Sequence, residues 1–254
     1  HPDVRKMLLT AKAYAEGARA LQVFCTLLLD KVHSHPDEKV RADSDELVAL
    51  LTPIVKAFVT DNGHIATNAC MQVFGGHGFI KEWGMEQFVR DNRINMIYEG
   101  TNTIQSLDLL GRKVLGNQGA TLKKFGKLVG QLVAEEGVNE KMAEFINPIA
   151  ILGEQMTKFT TEIGFKGMQN PDEVGAAAVD YLRVAGHLVF GYLFARMAQV
   201  SLRAIANGST DPFYTAKLQT ARFYFAKLFP ETVLLMRTAR AGSKVLMDTD
   251  AALA

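Results

Sequence analysis

Residues 47–76 of this 254-residue chain read LVALLTPIVKAFVTDNGHIATNACMQVFGG. The apolar residues recur at intervals of three and four, which places them on one face of an α-helix. We expect this helix to begin near Asp43, with Glu46 completing a capping box, and to end before Gly75 and Gly76. Pro53 lies well inside the pattern and predicts a kink or a restart. The apolar stripe consists of Leu47, Leu50, Leu51, Ile54, Val55, Phe58, Ile65, Ala66 and Ala69.

The same helical spacing continues on both sides of this stretch. Upstream, one stripe runs from Val4 to Leu28 and ends in a polar loop at residues 33–37. Downstream, a helix is predicted to start at Thr101 or Asn102 and to end at Gly116-Asn117. Later stripes fill residues 122–133, 142–163 with Pro148 inside, and 171–200 with Pro171 as the first helical residue. Two shorter helices follow Asn207-Gly208-Ser209 and are separated near Pro230.

These patterns contain no strand-like alternation, so the sequence predicts an all-α protein. Gly116-Asn117-Gln118-Gly119 is the best candidate for a domain boundary. We therefore expect a four-helix-bundle domain at residues 1–118, followed by a second helical bundle at residues 119–254.

The composition excludes several classes of protein. The chain has 28 basic and 27 acidic residues, a balance that argues against the concentrated basic face of a nucleic-acid-binding protein. No apolar run reaches the roughly 18 residues of a membrane span. The two cysteines, Cys25 and Cys70, lie in apolar helical patterns and predict buried free thiols in a reducing, cytoplasmic compartment. His33 and His35 have no third ligand nearby, so no metal site is expected. A start at His1-Pro2-Asp3 without Met is typical of a fragment or a trimmed chain.

The most informative short segment is Ile97-Tyr98-Glu99-Gly100-Thr101. Ile94, Met96, Ile97 and Tyr98 precede Glu99, which predicts a buried approach strand that carries a carboxylate at its end. A buried carboxylate costs free energy unless it is paired or functional. A general base needs a fixed pose, and the neighbouring glycine would let a ligand approach the backbone. The alternative is an ordinary surface carboxylate near a helix start.

Two further segments carry weaker signals. Gly75, Gly76 and Gly78 could form a helix end and turn, or a loop whose bare backbone contacts a phosphate; the turn is the better supported of the two. Arg90-Asp91 is typical of a solvated charge run or of an ion pair that stabilises a turn.

In this order and at these separations, Gln72–Phe79, Arg90-Asp91 and Ile97–Thr101 closely resemble the signature of the acyl-CoA dehydrogenase family. In that family a helical domain and a β-barrel domain precede a carboxy-terminal four-helix bundle, and residues 1 to about 116 resemble most of this bundle. Residues 119–254 are similar to the extra helical domain of a larger bacterial subgroup that includes methylthiopropionyl-CoA dehydrogenases.

The resemblance implies an FAD-dependent oxidation of an acyl-CoA thioester to the trans-2-enoyl-CoA, with Glu99 as the base that removes the α-proton. The backbone N–H of Glu99 would hydrogen-bond the thioester oxygen, Tyr98 would line the acyl pocket, and Gly100 would leave room for the substrate. The implied FAD contacts are Gln72, Gly75 and Gly76 at the adenosine-diphosphate half, together with Thr101 and, on a looser match, Thr103.

The resemblance also implies an electron-transferring flavoprotein as partner and a homodimer or homotetramer. Because the β-barrel and the first helical domain are absent from this sequence, we expect the isolated chain to be inactive. Two alternatives stay open. The chain could be a non-catalytic helical scaffold or oligomerisation module, or part of an acyl-CoA oxidase that passes electrons to oxygen.

Overall fold

The computed structural model describes residues 1–253, and every regular element within that range is helical. The predicted all-α class is therefore confirmed. Short 3₁₀ turns and two π-helical segments, Asp108–Val114 and Tyr224–Leu228, join the α-helices. The α-helices are α1 (Pro2–Ser34), α2 (Glu38–Val73), α3 (Met85–Arg93), α4 (Asn102–Leu107), α5 (Ala120–Glu136), α6 (Ala143–Gln169), α7 (Asp172–Ala206), α8 (Pro212–Phe223), α9 (Glu231–Ala239), α10 (Lys244–Met247) and α11 (Asp250–Leu253).

The long helices α1 and α2 form a hairpin, and α2 begins earlier than the sequence predicted. The carboxylate of Asp37 accepts a hydrogen bond from the backbone N–H of Lys39 at 2.8 Å, so Asp37 is the N-cap. The predicted start near Asp43 is wrong. Asp43 and Glu46 instead both form ion pairs with Lys124 of α5, each at 2.6 Å.

Helix α2 continues through Pro53 without a restart. Proline has no N–H, so the carbonyl of Ala49, four residues earlier, loses its partner within the helix. Lys113 occupies this acceptor, because its Nζ donates to the Ala49 oxygen at 2.6 Å. The π-helical segment that carries Lys113 continues α4, where the sequence predicted one uninterrupted α-helix.

Helices α5 to α7 follow the predicted pattern closely, but within the described residues four helices, α8 to α11, follow Ser209 where the sequence predicted two. Helix α5 ends before Gly137, α6 contains Pro148, and α7 ends before Asn207. The sequence predicted Pro171 as the first helical residue of α7, but Pro171 is the N-cap and the helix begins at Asp172.

Helix α7 is the central helix of the protein. Its length and apolar composition would be enough to cross a bilayer, although its apolar runs are interrupted by Asp180, Arg183 and Arg196. Most of the helix is buried against other helices of this chain. It packs on α6, α8 and α9 and also on α1, α2 and α4, so one hydrophobic core extends through both halves of the chain. The boundary at 118/119 falls in a turn where Gln118 and Gly119 have φ of 56° and 75°. The division into two domains stays a prediction, and Ala254 lies outside the described residues.

A buried polar cluster joins α7 to the helices that follow it. The ring of His187 contacts the Tyr224 hydroxyl at 2.9 Å and a carboxylate oxygen of Glu231 at 2.8 Å, and Arg183 donates to the same carboxylate at 2.8 Å. Burial alone would raise the pKa of Glu231, but hydrogen bonds and attraction from His187 and Arg183 outweigh burial and lower it to about 2. Burial lowers the pKa of His187, against the opposing effect of Glu231.

Candidate active site

The segment that leads to Glu99 is a turn on the protein surface and not a strand. A 3₁₀ turn at Ile94–Met96 is followed by Ile97 and Tyr98, whose backbone N–H groups both donate to the Ile94 oxygen, at 2.9 and 3.2 Å. The side chains of Ile97, Tyr98 and Glu99 are exposed. The predicted buried approach strand is therefore wrong for this chain, because none of its described residues covers the apolar side chains before Glu99.

The backbone at Glu99 has an unusual conformation. Glu99 has a φ of 55° and Gly100 a φ of 81°, so two consecutive residues lie in the left-handed region. For a residue with a side chain this conformation costs roughly 1–2 kcal/mol. The side-chain amide of Gln105 donates to the Glu99 carbonyl at 3.2 Å, and the Thr101 hydroxyl accepts from the N–H of Ile104 at 3.4 Å. The backbone is thus held on both sides while the carboxylate stays exposed.

Asn102, the first residue of α4, fastens this turn to α2. Its amide donates to a carboxylate oxygen of Asp61 at 2.6 Å and to the Thr60 hydroxyl at 3.0 Å. Its side-chain Oδ1 accepts a hydrogen bond from the Nζ of Lys56 at 2.7 Å. Burial raises the pKa of Asp61, and the hydrogen bond from Asn102 opposes that rise. The sequence analysis did not identify Asn102 or its partners on α2. The one signal for this contact was Asp61, an acidic residue beside the apolar stripe of α2.

The three glycines after α2 differ in what their surroundings require. Gly75 has a φ of 60°, so Gly75, and not Gly76, takes the left-handed position of this turn. Gly78 is buried, and a Cβ there would collide with the carbonyl of Met71. Gly76 has no positive φ, and a Cβ added to it would meet no atom within 4 Å. Nothing within the described chain requires glycine at position 76, and its exposed backbone leaves space for a ligand.

The glycine turn (residues 75–79) and the Glu99 turn (residues 97–101) lie at different heights along α2. Asn102 meets α2 at Asp61, and α2 runs a further 12 residues to Val73 before the glycines, which corresponds to roughly 18 Å of helix. A groove of about 660 Å³ between α2 and α3 has Phe79 and Ile97 in its lining. The sequence-predicted site residues therefore form two clusters, Gln72 with Gly75 and Gly76, and Tyr98 to Thr103, which a long ligand could join.

The remaining candidates lie at the surface. Gln72 is exposed on the last turn of α2, and Thr101 and Thr103 are exposed at the start of α4. Arg90 and Asp91 are exposed on α3, where Asp91 accepts from Gln87 at 2.6 Å, in agreement with a solvated charge run. Large apolar side chains around both clusters also face solvent, among them Phe79, Trp83, Phe88 and Ile104.

Two models of protein families match this chain. The model described as "Acyl-CoA dehydrogenase, C-terminal domain" matches residues 1–115. The model described as "Acetyl-CoA dehydrogenase C-terminal like" matches residues 122–250, which is about half of the chain.

Individual relatives agree with these matches. The 3-methylmercaptopropionyl-CoA dehydrogenase of Ruegeria pomeroyi is 36% identical over 235 residues, which cover 91% of this chain and 39% of the relative. The broad-specificity linear acyl-CoA dehydrogenase of Mycobacterium tuberculosis is 27% identical over 99% of this chain and 43% of its own length.

Among solved structures, an acyl-CoA dehydrogenase of Bacillus anthracis complexed with FAD has the same fold, with a TM-score of 0.70 at 19% identity. That match covers 92% of this chain and 40% of the solved one. The chain thus spans about two fifths of the length of the relatives that it matches. It belongs to the acyl-CoA dehydrogenase family, of which it is a carboxy-terminal portion.

Proposed function

We propose that this chain is the carboxy-terminal part of an FAD-dependent acyl-CoA dehydrogenase, which converts an acyl-CoA thioester to the trans-2-enoyl-CoA with Glu99 as the base. The observation that carries this proposal is the backbone of Glu99. A glutamate in a left-handed conformation, held by Gln105 and anchored through Asn102 to α2, is a costly way to place one exposed carboxylate. Strain of this kind concentrates at functional sites.

In this proposal, Glu99 removes the α-proton of the thioester, and its backbone N–H stabilises the enolate oxygen that develops. Gly100 leaves room beside the base, and Tyr98 lines the acyl pocket. The chemistry that FAD supplies when bound is acceptance of the β-hydrogen with its electron pair. The carboxylate of Glu99 is exposed in this chain, so in this proposal the surfaces that enclose it belong to the rest of the enzyme.

The cofactor assignment follows from the open backbone at Gly76. A phosphate group can approach the N–H groups of a turn where no Cβ stands in the way, and Gly76 has that space. In this proposal Gln72, Gly75 and Gly76 hold the adenosine-diphosphate half of FAD. Thr101 and Thr103, at the start of α4, are further contacts to FAD. The distance between the two clusters suits a long dinucleotide or contacts to two different FAD molecules.

We propose that the whole enzyme is a cytoplasmic homodimer or homotetramer that passes electrons to an electron-transferring flavoprotein. The exposed apolar residues around the two clusters support an assembly in which other domains or subunits cover them. An acyl-CoA oxidase would use the same base but consume oxygen, so hydrogen peroxide formation during turnover separates the two. A helical scaffold, the third candidate, would show no flavin reduction at all.

The decisive experiment replaces Glu99 with Gln in the full-length enzyme. Glutamine retains the size and hydrogen bonding of the side chain but cannot accept the α-proton. We expect flavin reduction by acyl-CoA thioesters in a stopped-flow spectrometer to slow by about 10²-fold or more, while flavin content stays at the parental level. Glu82→Gln, another exposed carboxylate, is the matched control and should retain the parental rate. A Glu99→Gln enzyme that reduces flavin at the parental rate would remove Glu99 from the role of base.

A further inference from the structure

The turn of α2 that Asn102 contacts also packs against the central helix α7. The Asn102 amide donates to the Ala57 carbonyl at 3.3 Å, in addition to its bonds with Thr60 and Asp61. Phe58 belongs to the same turn and is fully buried. Because Phe58 and Asp61 are three residues apart, they are neighbours on the surface of the helix. Whatever fixes Phe58 therefore also affects the position of the residues that hold Asn102.

Three residues of α7 enclose the ring of Phe58. Gly186 lies so close that a Cβ there would collide with the ring. One turn earlier on α7, the guanidinium of Arg183 lies 5.8 Å from the ring centroid, within the range of a cation–π attraction. The ring of His187 packs edge-on against Phe58, with 5.0 Å between the ring centroids. These contacts fix the turn of α2 relative to α7.

Helix α9 orients the guanidinium of Arg183. One nitrogen of Arg183, Nη2, donates to both carboxylate oxygens of Glu231, at 2.8 and 3.1 Å. The side chain of Arg183 is only 13% exposed, and a buried charge is costly unless it is paired. Glu231 is the first residue of α9. The place of the guanidinium above Phe58 thus depends on a helix more than 100 residues beyond the Glu99 turn.

The charge of Arg183 also acts on Asp61. Burial raises the pKa of Asp61, and the hydrogen bond from Asn102 and the positive charge of Arg183 oppose that rise. Burial would lower the pKa of Arg183, but attraction to Glu231 and Asp61 outweighs burial and raises it. The ionised form of Asp61 accepts the stronger hydrogen bond from Asn102. Further titratable side chains near these groups are Tyr14, Lys56, Arg93, His187 and Tyr224.

We propose that Arg183 and Glu231 are positioning residues for the proposed base, Glu99. They fix the turn of α2 around Phe58, and Asn102 passes that position on to the Glu99 turn. The inference rests on the proposed function for the role of Glu99. The contacts that carry it lie inside this chain, so they do not depend on which surfaces the rest of the enzyme covers. Residues beyond 119 thereby take part in the reaction without touching substrate or FAD.

The first measurement is amide hydrogen exchange of the full-length enzyme, followed by mass spectrometry. Arg183→Gln removes the charge but keeps a polar side chain. We expect the amides of α4 to exchange about tenfold faster, the equivalent of one lost hydrogen bond to a charged group. The matched control is Arg203→Gln. Arg203 also lies on α7 and pairs with a buried carboxylate, that of Glu136 at 2.7 Å, but it is roughly 30 Å further along the helix. This control should leave exchange in α4 at the parental rate.

The second measurement is flavin reduction in a stopped-flow spectrometer, with butyryl-CoA and with palmitoyl-CoA as substrates. In Arg183→Gln the limiting rate should fall by about tenfold or more, because a displaced base slows the chemical step. Flavin content and the half-saturating substrate concentration should stay at their parental values. Arg183→Lys keeps the positive charge and should recover most of the rate. Glu231→Gln keeps the guanidinium but removes its partner, so it should reproduce the effects of Arg183→Gln.

Three results would overturn the inference. These are parental exchange in α4, exchange that is accelerated equally in every helix, or faster exchange in α4 with an unchanged limiting rate. If Arg183→Gln does not fold, Glu231→Gln and Arg183→Lys decide by the same criteria. The exchange data do not involve the chemistry of Glu99, so they separate a failure of this inference from a failure of the proposed function, which Glu99→Gln tests.

Discussion

Replacement of Asn102 with Ala should detach the Glu99 turn from α2 and destabilise the protein measurably. The side chain of Asn102 bonds to two charged groups, Lys56 and Asp61, at 2.7 and 2.6 Å. A hydrogen bond to a charged group contributes about 1.5–3 kcal/mol. Because Asn102 is only half-buried, water recovers part of that energy. We therefore expect a net loss of about 2–3 kcal/mol, or a melting temperature lower by about 5–10 °C.

The loss should depend on pH in a defined direction. Burial raises the pKa of folded Asp61 above its ordinary value of 3.8, so the folded state keeps this proton to higher pH than the unfolded state. Asp61 therefore lowers the free energy of unfolding as pH rises from 3.8 through the raised pKa of the folded state. Asn102 donates to the ionised carboxylate and limits this cost. Without it the folded pKa rises further, so the destabilisation is larger near pH 7 than at about pH 4.

The measurement is thermal unfolding followed by far-UV circular dichroism at both pH values. Asn68→Ala is the matched control, because Asn68 is also a half-buried amide on α2 but bonds only to the His64 carbonyl of its own helix. An Asn102→Ala protein with an unchanged melting temperature, or with the same loss at both pH values, would refute the role assigned to this residue.

Three further predictions test other parts of the molecule. Gly76→Asn in the full-length enzyme should lower the ratio of flavin to protein absorbance without lowering the melting temperature, because only a ligand uses the space at this position; normal flavin content would count against the FAD assignment. Glu231→Gln should destabilise the protein by about 2–3 kcal/mol near pH 7, because the ionised carboxylate stabilises His187 and its neighbours. The loss should shrink as pH falls from 4.5 towards the lowered pKa of Glu231, about 2, and urea titrations at several pH values measure it. Equal losses at every pH would contradict that. Gly186→Ala should cost about 1–3 kcal/mol because its Cβ would collide with a buried ring of α2, whereas Gly175→Ala on the same helix meets no atom and should stabilise slightly; urea titration compares the two, and equal effects would contradict the packing described for α7.

Much of the fold could be predicted from the sequence, because apolar periodicity reports directly which face of a helix is buried. The ends of α5 at Gly137 and of α7 at Asn207 were readable from their own residues. The start of α2 could not be predicted in this way. Asp37 and Asp43 are both suitable N-cap residues, and which of them caps the helix depends on a tertiary contact. Asp43 is occupied by Lys124, a residue 81 positions away. The π-helical turn at Asp108–Val114 likewise has no local signal.

The candidate site was predictable in its residues but not in its geometry. The predicted helix start at Thr101 or Asn102 is confirmed, since α4 begins at Asn102 with Thr101 as its N-cap. The apolar neighbours of Glu99 predicted burial, yet Ile97 and Tyr98 are exposed, and no described residue of this chain covers them. A run of apolar residues in a sequence does not by itself show whether the same chain buries them. The left-handed backbone of Glu99 and its anchoring through Asn102 depend on contacts with α2 that no local pattern encodes.

The contact between Lys113 and the carbonyl of Ala49 has a consequence for how the helices align. In the interior of a regular helix every backbone carbonyl already accepts from an N–H four residues on, so two apolar helix faces could shift along one another with little penalty. Pro53 frees one acceptor inside α2, the carbonyl oxygen of Ala49, and the Nζ of Lys113 donates to it. A residue that weakens the helix on its own thus defines the register between two helices. The position of the Glu99 turn along α2, one short helix away from Lys113, inherits that register.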